Sequence, residues 1–174
     1  MEEVAAFKRD ISIDEALEMA GEVGPGGELS LSGLQGASKA FFLASFFRSN
    51  NRHLLAVVPD ARAAGRFAED LRFFLGVKDE AQSEAEKVFL FPDTELLPFE
   101  LKAPHPSILS ARLELYHRLT QGRPFIIVTT ARNLMQKLAP APAFEQRVIR
   151  LACDEEYSRD GLLQDLIEQG FTRV

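Results

Sequence analysis

Short apolar runs alternate with helical patterns between residues 28 and 138, and this alternation constrains the fold most. Three runs have the length of strands: Leu54–Val58 and Val88–Phe91, which both end at a proline, and Phe125–Val128, which follows one. A fourth run covers Leu29–Ser32. Continuous apolar runs are typical of strands that helices cover on both faces. We therefore expect an α/β fold with a doubly wound, mainly parallel sheet.

The segments between the strands carry helix signals. Lys39–Phe47 is almost wholly apolar, which predicts a helix buried on most sides, with Phe42 or Phe46 fully buried. Asp60 caps a second helix, whose apolar side chains recur at helical spacing until a glycine ends it. A third helix begins at Ser107, and its spacing predicts three inward side chains: Leu109, Leu113 and Tyr116.

The sequence divides into four segments: a helix with a glycine-rich connection (1–27), an α/β domain (28–138), a linker (139–145) and the start of a small α+β domain (146–174). The helix of the N-terminal segment begins with a capping box of Ser12 and Glu15. The last segment predicts a strand, a helix and a second strand that begins at Phe171. We therefore expect a chain that is truncated inside its second domain.

Composition and charge exclude several classes of function. The chain has 20 basic and 26 acidic residues, and its net charge of −6 disfavours a general nucleic-acid-binding protein, although a local basic patch stays open. No apolar run approaches the ~20 residues that span a membrane. The single cysteine, Cys153, fits a reducing compartment. We expect a cytoplasmic protein without a membrane segment.

Candidate catalytic and metal-binding groups are few. Cys153 has no histidine near it in sequence. The histidines are far apart in sequence: His53, His105 and His117. One loop carries three carboxylates that could perform acid–base chemistry, although a solvated loop explains them more simply: Asp93, Glu95 and Glu100. The sequence thus predicts no catalytic residue, no metal site and no cofactor.

One segment, Ser32–Ala40, occupies the position of a phosphate-binding loop, between a predicted strand and a helix. Gly33 and Lys39 have the spacing of the first glycine and the lysine of G-x-x-x-x-G-K-[ST]. Ser38 replaces the second glycine, and its Cβ would crowd a β-phosphate. Ala40 replaces the Ser or Thr whose hydroxyl ligates Mg²⁺.

We therefore expect a vestigial phosphate loop made of five residues: Gly33, Gly36, Ser38, Lys39 and Ala40. Because Gly36 keeps the loop small, weak anion binding by the amides of a helix N-terminus stays open. A working nucleotide site is the third alternative, but the sequence lacks a strand that ends in Asp-Glu and could hold the metal. Lys39 is then predicted to be a surface or capping residue.

Several motifs resemble the start of the bacterial transcription-repair coupling factor (Mfd). They are Ser32–Phe41 with the helix that follows, Val57–Asp60, Phe91–Glu100, Pro104–Pro106 and Ser110–Leu113. The resemblance extends from Leu31 to Val174, and the acidic stretch before Pro104 is its most specific part. Two residues depart from the family pattern there: Thr94 and Phe99.

The resemblance implies the family's N-terminal module, which is similar to the excinuclease B subunit (UvrB) but has a decayed nucleotide site. The expected fold is then a degenerate P-loop, helicase-like domain. In the family, this module recruits the excinuclease A subunit (UvrA), and the full protein is an ATP-dependent DNA translocase that displaces stalled RNA polymerase. The motor and most of the excinuclease A contact would lie beyond Val174.

We therefore predict a non-catalytic module of transcription-coupled nucleotide excision repair. Its partners would be the excinuclease A subunit and other domains of its parent chain, which in turn contact RNA polymerase and DNA. Two alternatives are an active nucleoside triphosphatase or helicase half, which Ser38 and Ala40 disfavour, and a direct DNA-binding module, which the net charge disfavours. Arg147 and Arg150 alternate along a predicted strand over Gln146–Leu151 and are candidate partner contacts.

Overall fold

A computed structural model describes residues 10–77, 87–93, 105–136, 149, 151–168 and 171. The chain separates into two compact units, Met1–Gln136 and Lys137–Val174. The helices of the first unit are α1 (Ile13–Glu22), α2 (Ser38–Asn50), α3 (Ala61–Leu75), α4 (Pro106–Thr120) and α5 (Ala131–Leu134). Its strands are β1 (Leu54–Val58), β2 (Val88–Leu90) and β3 (Ile126–Thr130).

The three strands form a parallel sheet in the order β1-β3-β2. Ile126 of β3 is paired with Leu54 of β1 on one side and with Val88 of β2 on the other. Parallel pairing requires a crossover between consecutive strands, and α3 and α4 supply the two crossovers. The predicted α/β class with a parallel sheet is therefore confirmed.

Helices cover both faces of the central strand, β3. Ile126 and Val128 belong to a buried cluster with residues of α2 and α3. Phe125 and Ile127 instead pack with Phe89, Phe91 and Leu115 of α4. Because successive residues of a strand point to opposite faces, these two clusters lie on opposite sides of β3.

Small side chains mark the contact between α2 and α3. The buried residues of α2 are Ala40, Ala44 and Phe47, and they share one cluster with Ala64 and Ala68 of α3. Alanine lets two helix backbones approach closely, and Phe47 then fills the space at the end of the stripe. The prediction that Phe42 or Phe46 is fully buried was wrong, since both are half-buried.

The helix signals at the sequence level are confirmed by cap geometry. Ser12 Oγ accepts a hydrogen bond from the Glu15 amide at 3.2 Å and so begins α1. Asp60 Oδ1 accepts one from the Ala63 amide at 2.8 Å and begins α3. Gly76 ends α3 with a φ of 75°, a left-handed value that glycine adopts without strain. These caps are local, which is why the sequence predicts them well.

The structure corrects two predictions for the strands. Leu29–Ser32 is not a strand. β1 is not covered on both faces, because Leu55 is 53% exposed and Val57 is 46% exposed. The described packing of α4 explains this opening: its Leu115 lies against Phe89 of β2 and against Phe91 directly after β2, and β2 is on the far side of β3 from β1.

Helix α4, which the sequence predicted to begin at Ser107, also turns a different side to the sheet than its spacing predicts. Leu115 is buried, whereas Leu113 is 46% exposed and Tyr116 is half-buried. The side chain of Leu109 lies outside the described residues. Phe89 of β2 and Phe91 pack against this face of α4, and a sequence with leucines on two sides of the helix cannot show which side will be buried.

The second unit contains one described helix, α6 (Arg159–Glu168). Ser158 lies at its start, and its Oγ accepts a hydrogen bond from the Gly161 amide at 3.3 Å. The linker, most of the predicted strands of this unit, Arg147 and Arg150 lie outside the described residues. Ile149, Leu151 and Phe171 are described and are not part of a strand. None of the helices in the described segments is both long enough and apolar enough to cross a membrane.

Candidate functional site

The loop before α2 turns on two glycines and closes on a serine. Gly33 and Gly36 have φ values of 85° and 54°, which lie in the left-handed region that other residues rarely adopt. Ser38 Oγ donates a hydrogen bond to the Gln35 carbonyl at 2.7 Å, and the Ser38 amide donates to the same oxygen at 3.1 Å. The Ser38 side chain is therefore engaged in holding the loop together.

Ala40 lies inside the hydrophobic core rather than at the loop surface. Ala40 is 0% exposed and belongs to the cluster that joins α2, α3 and the sheet. The neighbouring Lys39 is exposed. Position 40 therefore offers a buried methyl group and no oxygen where an active loop would hold a magnesium ion.

At the start of α2, the groups that suit an anion are the backbone amides and the exposed Lys39. The first flanking residue of α2, Ala37, makes no side-chain capping bond. The first amides of a helix and the helix dipole favour an anion in general. Within the described residues, no three His, Cys, Asp or Glu side chains come close enough to hold a metal ion. The described residues around this loop thus offer no cluster of side chains for a metal ion.

A second group of polar side chains is buried at the carboxyl end of β3 and in α5, the helix that follows it. Asn133 of α5 is 1% exposed, and its Nδ2 donates to the Phe91 carbonyl at 3.0 Å and to Thr129 Oγ1 at 3.1 Å. The Thr129 hydroxyl also donates to the Phe91 carbonyl at 3.4 Å. Asn133 Oδ1 is buried without a hydrogen-bond partner. Three polar groups therefore converge where the chain leaves β2.

Arg112 of α4 extends this cluster toward the surface. Its guanidinium donates to the Pro92 carbonyl at 3.2 Å and to Gln136 Oε1 at 3.0 Å. It also lies over the Phe91 ring, with its central carbon 4.4 Å from the ring centroid, which is a cation–π distance. We call Arg112, Thr129 and Asn133 the β2-exit cluster, because each side chain contacts the backbone or ring of Phe91–Pro92.

The chain is similar to a set of curated proteins with one description. It is 29% identical over 155 residues to the transcription-repair-coupling factor of Myxococcus xanthus. This match covers 88% of this chain and 13% of the relative. This chain is similar in sequence to the transcription-repair coupling factors. The factor of Rickettsia bellii is 28% identical over 139 residues, and that of Bacillus subtilis is 24% identical over 146 residues. No family model matches the chain.

The extent of these matches confirms the resemblance that the sequence motifs indicated. The matched part covers 79% and 84% of this chain for the Rickettsia bellii and Bacillus subtilis coupling factors. The same matches cover 12% of each of those two relatives. The chain therefore spans about one eighth of the length of the coupling factors that it matches.

The histidines and Cys153 that the sequence singled out occupy separate environments. The His53 ring packs edge-on against Phe125, with centroids 5.2 Å apart. His105 Nδ1 lies 2.7 Å from Ser107 Oγ at the start of α4, and His117 Nε2 lies 3.0 Å from Gln121 Nε2. Cys153 is exposed. Of the acidic loop, Asp93 is described, and Glu95 and Glu100 lie outside the described residues.

The β2-exit cluster is the part of the site that sequence reasoning missed. The resemblance to the coupling factors included Arg112 within a motif but assigned it no contact. A signal was present, because Thr129 and Thr130 follow an apolar run and a polar Asn133 follows one turn later. Polar residues at the carboxyl end of a parallel strand are a common location for functional or structural polar contacts.

Proposed function

We propose that this chain is a non-catalytic module of a transcription-repair coupling factor that acts in transcription-coupled nucleotide excision repair in the cytoplasm. The single observation that carries the proposal is its similarity to the Myxococcus xanthus factor over 155 residues. The name of that relative joins transcription to repair. The module would form part of the platform that recruits the excinuclease A subunit to stalled RNA polymerase.

The non-catalytic part of the proposal depends on the vestigial loop. A triphosphatase must hold a metal-bound nucleotide, and the Ser or Thr hydroxyl of its loop is a metal ligand. Ala40 has no such group, and its burial against α3 explains why an apolar residue suits this position. Ser38 adds a side chain where a glycine would leave room, and that side chain is bonded to the loop itself.

We expect no magnesium-ATP binding in the micromolar range and no ATP hydrolysis by this chain. The direct test is calorimetric titration of the chain with Mg-ATP, with the excinuclease B subunit as the positive control. Lys39→Ala should change the free energy of unfolding by less than ~0.5 kcal/mol, because Lys39 is exposed and lies outside the core. Micromolar affinity that Lys39→Ala removes would establish the helicase alternative instead.

The repair role can be tested by exchange with a relative. We expect the Myxococcus xanthus factor to keep transcription-coupled repair when this chain replaces its 155 matched residues. The measurement is the faster removal of ultraviolet lesions from the transcribed strand than from the other strand. A matched exchange that carries Val128→Asp, which places a charge in the core, should abolish that strand bias. Loss of the bias with the unaltered chain would contradict the proposal.

We expect that full binding of the excinuclease A subunit requires residues beyond this chain. By resemblance, most residues that contact the excinuclease A subunit follow Val174 in the family. The chain alone should therefore bind that subunit at least tenfold more weakly than the exchanged coupling factor does in interferometry. Equal affinities would place the recruiting surface within residues 1–174 and would overturn this assignment of the contact.

A further inference from the structure

We draw no further inference here: the strongest candidate, the aromatic patch that exposed Phe41 and Phe73 form with partly buried Phe74 on helices α2 and α3, carries nothing because nothing in the described part of the structure shows what covers it.

Discussion

Replacing Phe47 with alanine should lower the free energy of unfolding by about 3–5 kcal/mol, the usual cost of removing a buried aromatic side chain. Phe47 is 5% exposed and packs in the cluster that joins α2, α3 and β3. Its alanine neighbours on α2 are too small to fill the cavity that the substitution would leave. A loss of this size is a large share of the stability of a typical domain.

The control for this substitution is its neighbour in the sequence. Phe46 is chemically identical, lies on the same helix and is only half-buried, so Phe46→Ala should cost clearly less than Phe47→Ala. Urea unfolding of both variants, followed by circular dichroism, gives the comparison. If Phe46→Ala proves equally or more destabilising, then α2 presents a different face to the sheet than the structure shows.

The comparison between Phe46 and Phe47 also shows where sequence reasoning reaches its limit. The apolar runs at Leu54–Val58, Val88–Phe91 and Phe125–Val128 predicted the three observed strands, because strand length and burial are visible in a local window. The caps at Ser12 and Asp60 were predicted for the same reason. Each of these signals depends on residues that are adjacent in the chain.

The orientation of an apolar helix is a different kind of problem. With phenylalanine at four positions of α2, the hydrophobic pattern has no clear polar side that would identify the buried face. The face is instead selected by close approach to α3, which favours the stripe of Ala40, Ala44 and Phe47. The same holds for α4, where Leu115 is buried against Phe89 and Phe91 while Leu113 stays exposed. Such choices depend on the partner element and not on the helix alone.

The candidate site divides in the same way. The vestigial phosphate loop could be predicted from sequence because its five residues lie within one eight-residue segment, Gly33–Ala40, and have a known spacing; its role stays a prediction. The β2-exit cluster was not predicted, because Arg112, Thr129 and Asn133 come from three elements and meet only at the end of β2. The polar residues at the end of β3 are visible in the sequence, but the carbonyls that they and Arg112 contact, at Phe91 and Pro92, come from a distant part of the chain that no local pattern identifies.

The β2-exit cluster has a clear structural consequence for the segment that follows. β2 has only three residues, and the Phe91 amide directly after it donates to the Val128 carbonyl of β3 at 2.9 Å. Asn133, Thr129 and Arg112 then bind the two carbonyls at which the chain leaves the sheet. Pro92 has no amide hydrogen to add to this anchoring. The backbone at Phe91 and Pro92 is therefore held by these side chains.

Asn133→Leu should reduce the free energy of unfolding by about 1–3 kcal/mol, the cost of leaving a buried polar group without its partner. Leucine has a similar size but cannot donate to the Phe91 carbonyl or to Thr129 Oγ1. The loss should be accompanied by faster amide hydrogen exchange at Phe91, while exchange in β1 should change less. A uniform change in both strands would show that the substitution acts on global stability alone.

Asn133→Asp is the stronger and more diagnostic change, with an expected cost of about 3–5 kcal/mol at neutral pH because it buries an unpaired charge. A carboxylate oxygen would replace the Nδ2 donor and face the Phe91 carbonyl, so both burial and repulsion raise the pKa of the new carboxyl in the folded state. The folded state then binds more protons than the unfolded state above the ordinary pKa of about 4, so stability falls as pH rises through this interval. Below it, the protonated carboxyl can donate to the Phe91 carbonyl and restore part of the lost bond.

Urea unfolding of wild type, Asn133→Asp and Asn133→Leu at several pH values separates these effects, since the leucine penalty should stay constant while the aspartate penalty shrinks in acid. Equal pH-independent penalties for both variants would mean that residue 133 is hydrated in the folded protein and that the β2-exit cluster is open to water.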